Sequence, residues 1–127
     1  MNRLLLDTEA FIWWDEDDAR LGRAARAHIR QADEVYVSAA SGWEIAIKQA
    51  LGKLETTRQP AEAVAEGGFT PLVVTFDHAA ASGVLPRHHR DPFDRLIIAV
   101  AQVEGLTIVT SDERFEPYGV PLVDAHT

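Results

Sequence analysis

Four acidic residues of this 127-residue chain stand where a fold could use them together: Asp7, Glu44, Asp94 and Asp112. Asp7 ends the apolar run Arg3-Leu4-Leu5-Leu6, and Asp112 follows Ile108-Val109-Thr110-Ser111. Glu44 sits early in a helical stretch after Glu34-Val35-Tyr36-Val37-Ser38, and Asp94 lies in the first turn of a helix opened by Asp91-Pro92. In an open parallel α/β sheet the carboxyl ends of the strands share one edge, and ligands bind there. Carboxylates gathered at such an edge repel one another, so that some become protonated unless a cation joins them. An all-oxygen donor set suits a hard ion, Mg²⁺ or Mn²⁺, rather than zinc or copper. The chemistry that follows is metal-dependent phosphoryl transfer or phosphodiester hydrolysis.

Each acid also has an ordinary role. Asp7 and Asp91 are good helix N-caps, Ser41-x-x-Glu44 has the form of a capping box, Asp94 complements a helix dipole, and Asp112 suits a turn. Convergence on one edge separates the two readings, so the elements that carry the acids matter. The apolar runs Arg3–Leu6, Glu34–Ser38, Leu72–Val74, Leu106–Thr110 and Pro121–Val123 read as strands. Between them the spacing predicts helices from Thr8 through Trp14, Ala19 to Ala32, from Ser41 to Gly52, Pro60 to Glu66, Phe76 to Gly83 and Phe93 to Glu104. The acidic run Asp15-Glu16-Asp17-Asp18 is expected to open the second helix. The segment Leu96-Ile97-Ile98-Ala99-Val100-Ala101 is apolar all round and should be buried. Strands alternating with helices imply a three-layer α/β/α domain around a mostly parallel central sheet. There is no internal repeat or linker, so one domain over residues 1–127 is expected.

The chain carries 12 basic and 20 acidic residues and a net charge of −8. That balance argues against a general basic surface for nucleic acid. The absence of Cys excludes a disulfide framework, a thiolate zinc site and a cysteine nucleophile. There is no apolar stretch long enough to span a membrane, and a soluble cytoplasmic domain is expected.

Four segments, taken in order, carry a more specific signal: Leu4-Leu5-Leu6-Asp7-Thr8, Ser41-Gly42-Trp43-Glu44-Ile45-Ala46-Ile47-Lys48, His89-Arg90-Asp91-Pro92-Phe93-Asp94-Arg95-Leu96-Ile97-Ile98-Ala99 and Ile108-Val109-Thr110-Ser111-Asp112. Together they resemble the motifs of PIN-domain ribonucleases, most closely the VapC-type toxins of bacterial toxin–antitoxin pairs. The resemblance implies a PIN-like fold and a Mg²⁺- or Mn²⁺-dependent endoribonuclease that cuts RNA. It implies inhibition by a VapB-type antitoxin and a homodimer. It places Asp7, Asp94 and Asp112 on the metal, with Glu44 binding it or orienting the attacking water, and Asp91 as the cap that shapes the site. Glu9 departs from the pattern, since similar proteins often carry histidine there. The alternative from a different class is a non-catalytic acidic-pocket module, binding or receiver-like.

Other residues invite roles of their own. Arg87-His88-His89-Arg90 is the one tight basic cluster, a phosphate-contacting loop or simply a solvated one. Arg95 could meet RNA or a neighbouring acid, and Lys48 is spaced for a helix salt bridge to Glu44. Thr8 and Ser111 could hydrogen-bond a ligand carboxylate. Arg20, Arg23, Arg26 and Arg30 form a basic stripe that reads as a solvated face. Trp13, Trp14 and Trp43 are expected in core or interface packing.

Overall fold

Leu4, Leu5 and Leu6 are 1%, 0% and 0% exposed, so their strand is covered on both faces and must lie inside the sheet. The computed structural model describes residues 1–127. The elements run β1 (Arg3–Leu6), α1 (Thr8–Asp15), α2 (Arg23–Gln31), β2 (Glu34–Ser38), α3 (Ala39–Ala50), α4 (Pro60–Glu66), β3 (Thr70–Leu72), α5 (Phe76–Gly83), α6 (Pro92–Glu104), β4 (Thr107–Thr110), a 3-10 helix (Glu113–Tyr118) and β5 (Leu122–Asp124). The sheet has five strands in the order β3-β2-β1-β4-β5, with every neighbouring pair parallel.

Because successive side chains of a strand face opposite ways, the three leucines serve two cores. Leu4 and Leu6 enter one with Phe11, Trp13, Ala25, Ile29, Ile45 and Ala63, from α1, α2, α3 and α4. Leu5 enters the other with Ile97, Ile98 and Val100 of α6 and with Phe115 of the 3-10 helix. The result is the expected α/β/α layering. As its composition requires, α6 is the buried helix, with Asp91 as its cap and Gly105 (φ 70°) ending it.

Three local expectations are corrected. The acidic run does not open α2. Asp15 closes α1, Asp17 takes a left-handed conformation (φ 52°), and Asp18 accepts hydrogen bonds from the Arg20 main chain and guanidinium. That turn consumes the residues the helix would need, and α2 starts at Arg23. The third strand lies earlier than Leu72–Val74: Tyr36, Val37 and Ser38 pair with Thr70, Pro71 and Leu72, leaving Val73 exposed. α3 starts at Ala39 because Ser38 caps it by accepting from the Ala40 N–H, so Ser41 lies inside the helix and Glu44 in its second turn. The 3-10 helix is unforeseen, since Pro117 within it masks the helical signal.

The N-terminus of α2 is closed from a distance. Gly22 is its cap residue with no side chain to offer, and the main-chain oxygen of Thr127 accepts from Ala24 N at 2.8 Å. A Cβ at Gly22 would overlap the main chain of His126 and Thr127. Gly22→Ala is therefore expected to cost about 1–3 kcal/mol as an overpacking change, read as a lower urea midpoint with unchanged helix content.

Candidate metal centre

The site is built where the sheet order reverses, between the carboxyl ends of β1 and β4. Asp7 follows β1 directly. Its N–H donates to Val109 O at 3.1 Å, which holds it against β4, and its Oδ1 caps α1 by accepting from Ala10 N at 2.8 Å. Asp112 follows β4 and caps the 3-10 helix, with Oδ1 accepting from Arg114 N at 2.9 Å. The Arg114 guanidinium adds a two-pronged pair to Asp112 at 3.0 and 2.9 Å. Glu44 reaches the edge from α3 and is buried. Its Oε1 accepts from the Thr8 hydroxyl at 2.7 Å, and Thr8 is also 2.9 Å from Ser41 Oγ. Its Oε2 accepts from Lys48 Nζ at 2.7 Å, so the expected helix salt bridge is present. The capping-box reading of Ser41 and Glu44 gives way to these contacts across elements.

Asp94 completes the group from the first turn of α6. Asp91 acts as a cap, its Oδ1 accepting from Phe93 N at 2.8 Å and Asp94 N at 3.3 Å. Burial pushes Asp94 from its ordinary 3.8 up to about 8, reinforced by the negative charges of Asp91, Asp7, Glu44 and Asp112. Asp94 thus feels all three of the other candidate acids, as a shared site requires. Burial likewise pushes Asp7 up to about 7, against hydrogen bonds from Thr110 and the Ala10 N–H. Partial burial acts upward on Asp112 too, but hydrogen bonds from Arg114 and His89 outweigh it and hold Asp112 at about 2.

Sequence reasoning missed one member. His89 was grouped with its basic neighbours, yet it is 1% exposed and lies between two of the acids. Its Nε2 is 2.9 Å from Asp112 Oδ2 and 3.1 Å from Asp94 Oδ2. Its Nδ1 accepts the Asp91 N–H at 3.1 Å, so the ring proton belongs on Nε2, facing the carboxylates. An Nε2 that carries a proton cannot also bind a metal. The donors left to a cation are therefore carboxylate oxygens alone, and they fit a hard divalent ion. The His89, Asp94 and Asp112 atoms lie within 4.8 Å of one another.

The loop that carries His89 is pinned on both sides. The Arg95 guanidinium donates to the carbonyls of Pro86, His89, Ser82 and Leu85, at 3.0, 3.3, 2.9 and 3.1 Å. Arg95 is thus a loop clamp and pairs with no acid. The Tyr118 hydroxyl donates to Pro86 O and accepts from His89 N, both at 2.8 Å. Arg87, His88 and Arg90 remain exposed beside it. An open cavity of about 500 Å³ is lined by Arg87, His89, Arg90 and Arg95. Glu9 is a solvated residue of α1, and Ser111 lines a second cavity rather than holding a site carboxylate.

This edge geometry agrees with the sequence pattern of the PIN domain, which matches residues 4–120. The chain belongs to the PIN-domain family. It is 37% identical to Ribonuclease VapC22 of Mycobacterium tuberculosis (strain ATCC 25618 / H37Rv), an alignment covering 95% of each protein. The same PIN fold recurs in solved structures. That of VapBC2 from Rickettsia felis bound to a promoter DNA fragment matches with a TM-score of 0.70 at 14% identity, covering 95% of this chain and 97% of the other. That of DNA-bound VapBC from Salmonella typhimurium matches with a TM-score of 0.67 at 20% identity, covering 98% of both. In this PIN domain the sheet edge brings Asp7, Glu44, Asp94 and Asp112 to one place, with His89 as the added polar partner.

Two outcomes follow. Asp7 and Asp94 hold protons in the folded chain, up to about pH 7 and 8, that they have lost in the unfolded chain. The folded state therefore binds more protons across that window, and stability falls as pH rises. Melting temperatures measured in chelator should drop from about pH 5 to pH 8, less steeply in Asp94→Asn, and Mg²⁺ should restore more at pH 8 than at pH 5. A chelated protein that melts higher at pH 8 would contradict this. Separately, His89→Leu strands the Asp91 N–H and two carboxylates, and should cost about 1–3 kcal/mol in urea unfolding. His89→Gln keeps a donor and should cost less.

Proposed function

We propose that this chain is a metal-dependent endoribonuclease toxin of the VapC type, held inactive by a cognate VapB-type antitoxin. The observation that carries the reading is the convergence of Asp7, Glu44, Asp94 and Asp112 at the switch point of a PIN fold. The similarity to a VapC ribonuclease over 95% of the chain supports RNA as the substrate. The likeness to VapBC structures supports a VapB-type partner. We read residues 1–127 as one domain that works in the cytoplasm as a homodimer; no helix is long and apolar enough to cross a membrane.

Asp7, Asp94 and Asp112 would hold the cation, Mg²⁺ with Mn²⁺ as a substitute. When bound, the cation supplies charge neutralisation at the phosphodiester and activation of a water for in-line attack. Glu44 would orient that water, its Oε1 fixed by Thr8 and its Oε2 by Lys48. Asp91 holds the first turn of α6 so that Asp94 faces the other acids. His89 donates from Nε2 to Asp94 and Asp112, keeping the two carboxylates at a set separation. Arg87 and Arg90 stand exposed in the loop beside His89, where they would meet phosphates flanking the scissile bond.

The purified chain should cleave RNA with Mg²⁺ or Mn²⁺, lose that activity in chelator, and lose about 10²-fold or more in Asp7→Asn and Asp94→Asn, in the range expected when an electrostatic element of a transition state is removed. Circular dichroism should show both variants folded. Cleavage that persists in chelator, or in both variants, would rule the mechanism out.

A further inference from the structure

Trp43 does not pack as its type predicts. It is 61% exposed, whereas Trp13 is 4% exposed and Trp14 is half-buried against Phe69. Trp13 is further enclosed by a stacked His126 at 5.3 Å and by Arg20 above its ring at 5.2 Å. Trp43 has one aromatic partner, Phe93, edge-on at 5.1 Å and 71°. A T-shaped contact braces the indole and leaves ring surface open.

The position of this pair is specific. Trp43 immediately precedes Glu44 on α3, and Phe93 immediately precedes Asp94 on α6. The helices α3, which carries Glu44, and α6, which carries Asp94, pack against each other. The Trp43–Phe93 contact joins the same two helices beside that centre. A polyanion that reaches these acids has little general attraction to rely on, because the chain carries a net charge of −8. Stacking on an open aromatic face supplies affinity that does not depend on net charge and tolerates any base. Paired bases in a duplex are already stacked and cannot offer a face, whereas unpaired ones can.

We propose that Trp43, braced by Phe93, is a stacking platform for an unpaired base of the RNA next to the phosphodiester at the carboxylates. The proposal rests on the nuclease reading for the identity of the ligand. It commits the site to single-stranded segments, whether free strands or loops, and to a contact indifferent to base identity.

The chain contains its own reporter, since Trp43 is the exposed tryptophan of three. The full-length Asp7→Asn variant, with Mg²⁺ present, is titrated with a single-stranded RNA decamer, the same decamer in a duplex, and an abasic decamer of equal charge. The single strand should quench the solvent-exposed tryptophan emission, while the duplex and the abasic strand should quench it little. Trp43→Ala in the same background should weaken single-strand affinity about 5- to 150-fold, with Trp43→Phe recovering most of it. Wild-type and Trp43→Ala chains should melt alike, because the side chain is exposed. Equal affinity in Trp43→Ala, or equal quenching by the abasic strand or the duplex, overturns the platform and leaves the surface to a protein partner. Binding is read without turnover, so the two readings fail separately. A chain that binds and quenches but whose wild type never cuts RNA keeps the platform and loses the nuclease. A chain that cuts but binds equally well without Trp43 does the reverse.

Discussion

Carboxylates gathered at a dry sheet edge repel one another, and the elements around this edge are arranged to manage that repulsion. Asp7 is given the Ala10 N–H and a hydrogen bond from Thr110. Glu44 is given Thr8 and Lys48, and Asp112 is given Arg114 and His89. Asp94 shares only His89 and stands at the N-terminus of α6 while facing every other acid. Burial raises it to about 8, and the charges of the neighbouring acids add to the shift. The least compensated acid is where a cation would relieve most.

The same constraint explains the loop before α6. A buried histidine positioned between two carboxylates is useful only if its ring cannot rotate. The Asp91 N–H fixes Nδ1, Tyr118 fixes the His89 main chain, and Arg95 fixes the carbonyls on either side of Pro86. Arg95 does this with a planar fork that a lysine does not have. What reads in sequence as a basic stretch is thus divided by the fold. His89 and Arg95 turn inward as scaffold, and Arg87 and Arg90 face outward.

Much of this was legible in the residues. The alternation of strands and helices, the Asp91-Pro92 start, the Gly105 stop and the positions of the four acids after strands or early in helices are local signals. What escaped has distant causes. The start of α2 depends on a turn at Asp18 and on the main chain of Thr127, far along the sequence. The register of β3 is set by pairing with β2, since this edge strand contains Pro71, which offers no N–H and so weakens the strand signal in the sequence. His89 escaped because its partners Asp94 and Asp112 come from α6 and the end of β4, so its burial follows from tertiary contacts. Of the tryptophans expected in core or interface packing, Trp13 is buried and Trp43 is exposed, a difference set by the helices packed around each rather than by residue type.

The central place of β1 has a consequence for how the protein comes into being. β1 pairs with β4 across a long stretch of chain, Leu4 lying opposite Thr107. Pairing across such a separation closes late. Asp7 therefore waits in the growing chain without Asp112, and the edge that carries both is complete only when β4 docks beside β1. A growing chain built this way carries its acids apart until β4 is made, so the repulsion among them arises only as the sheet closes.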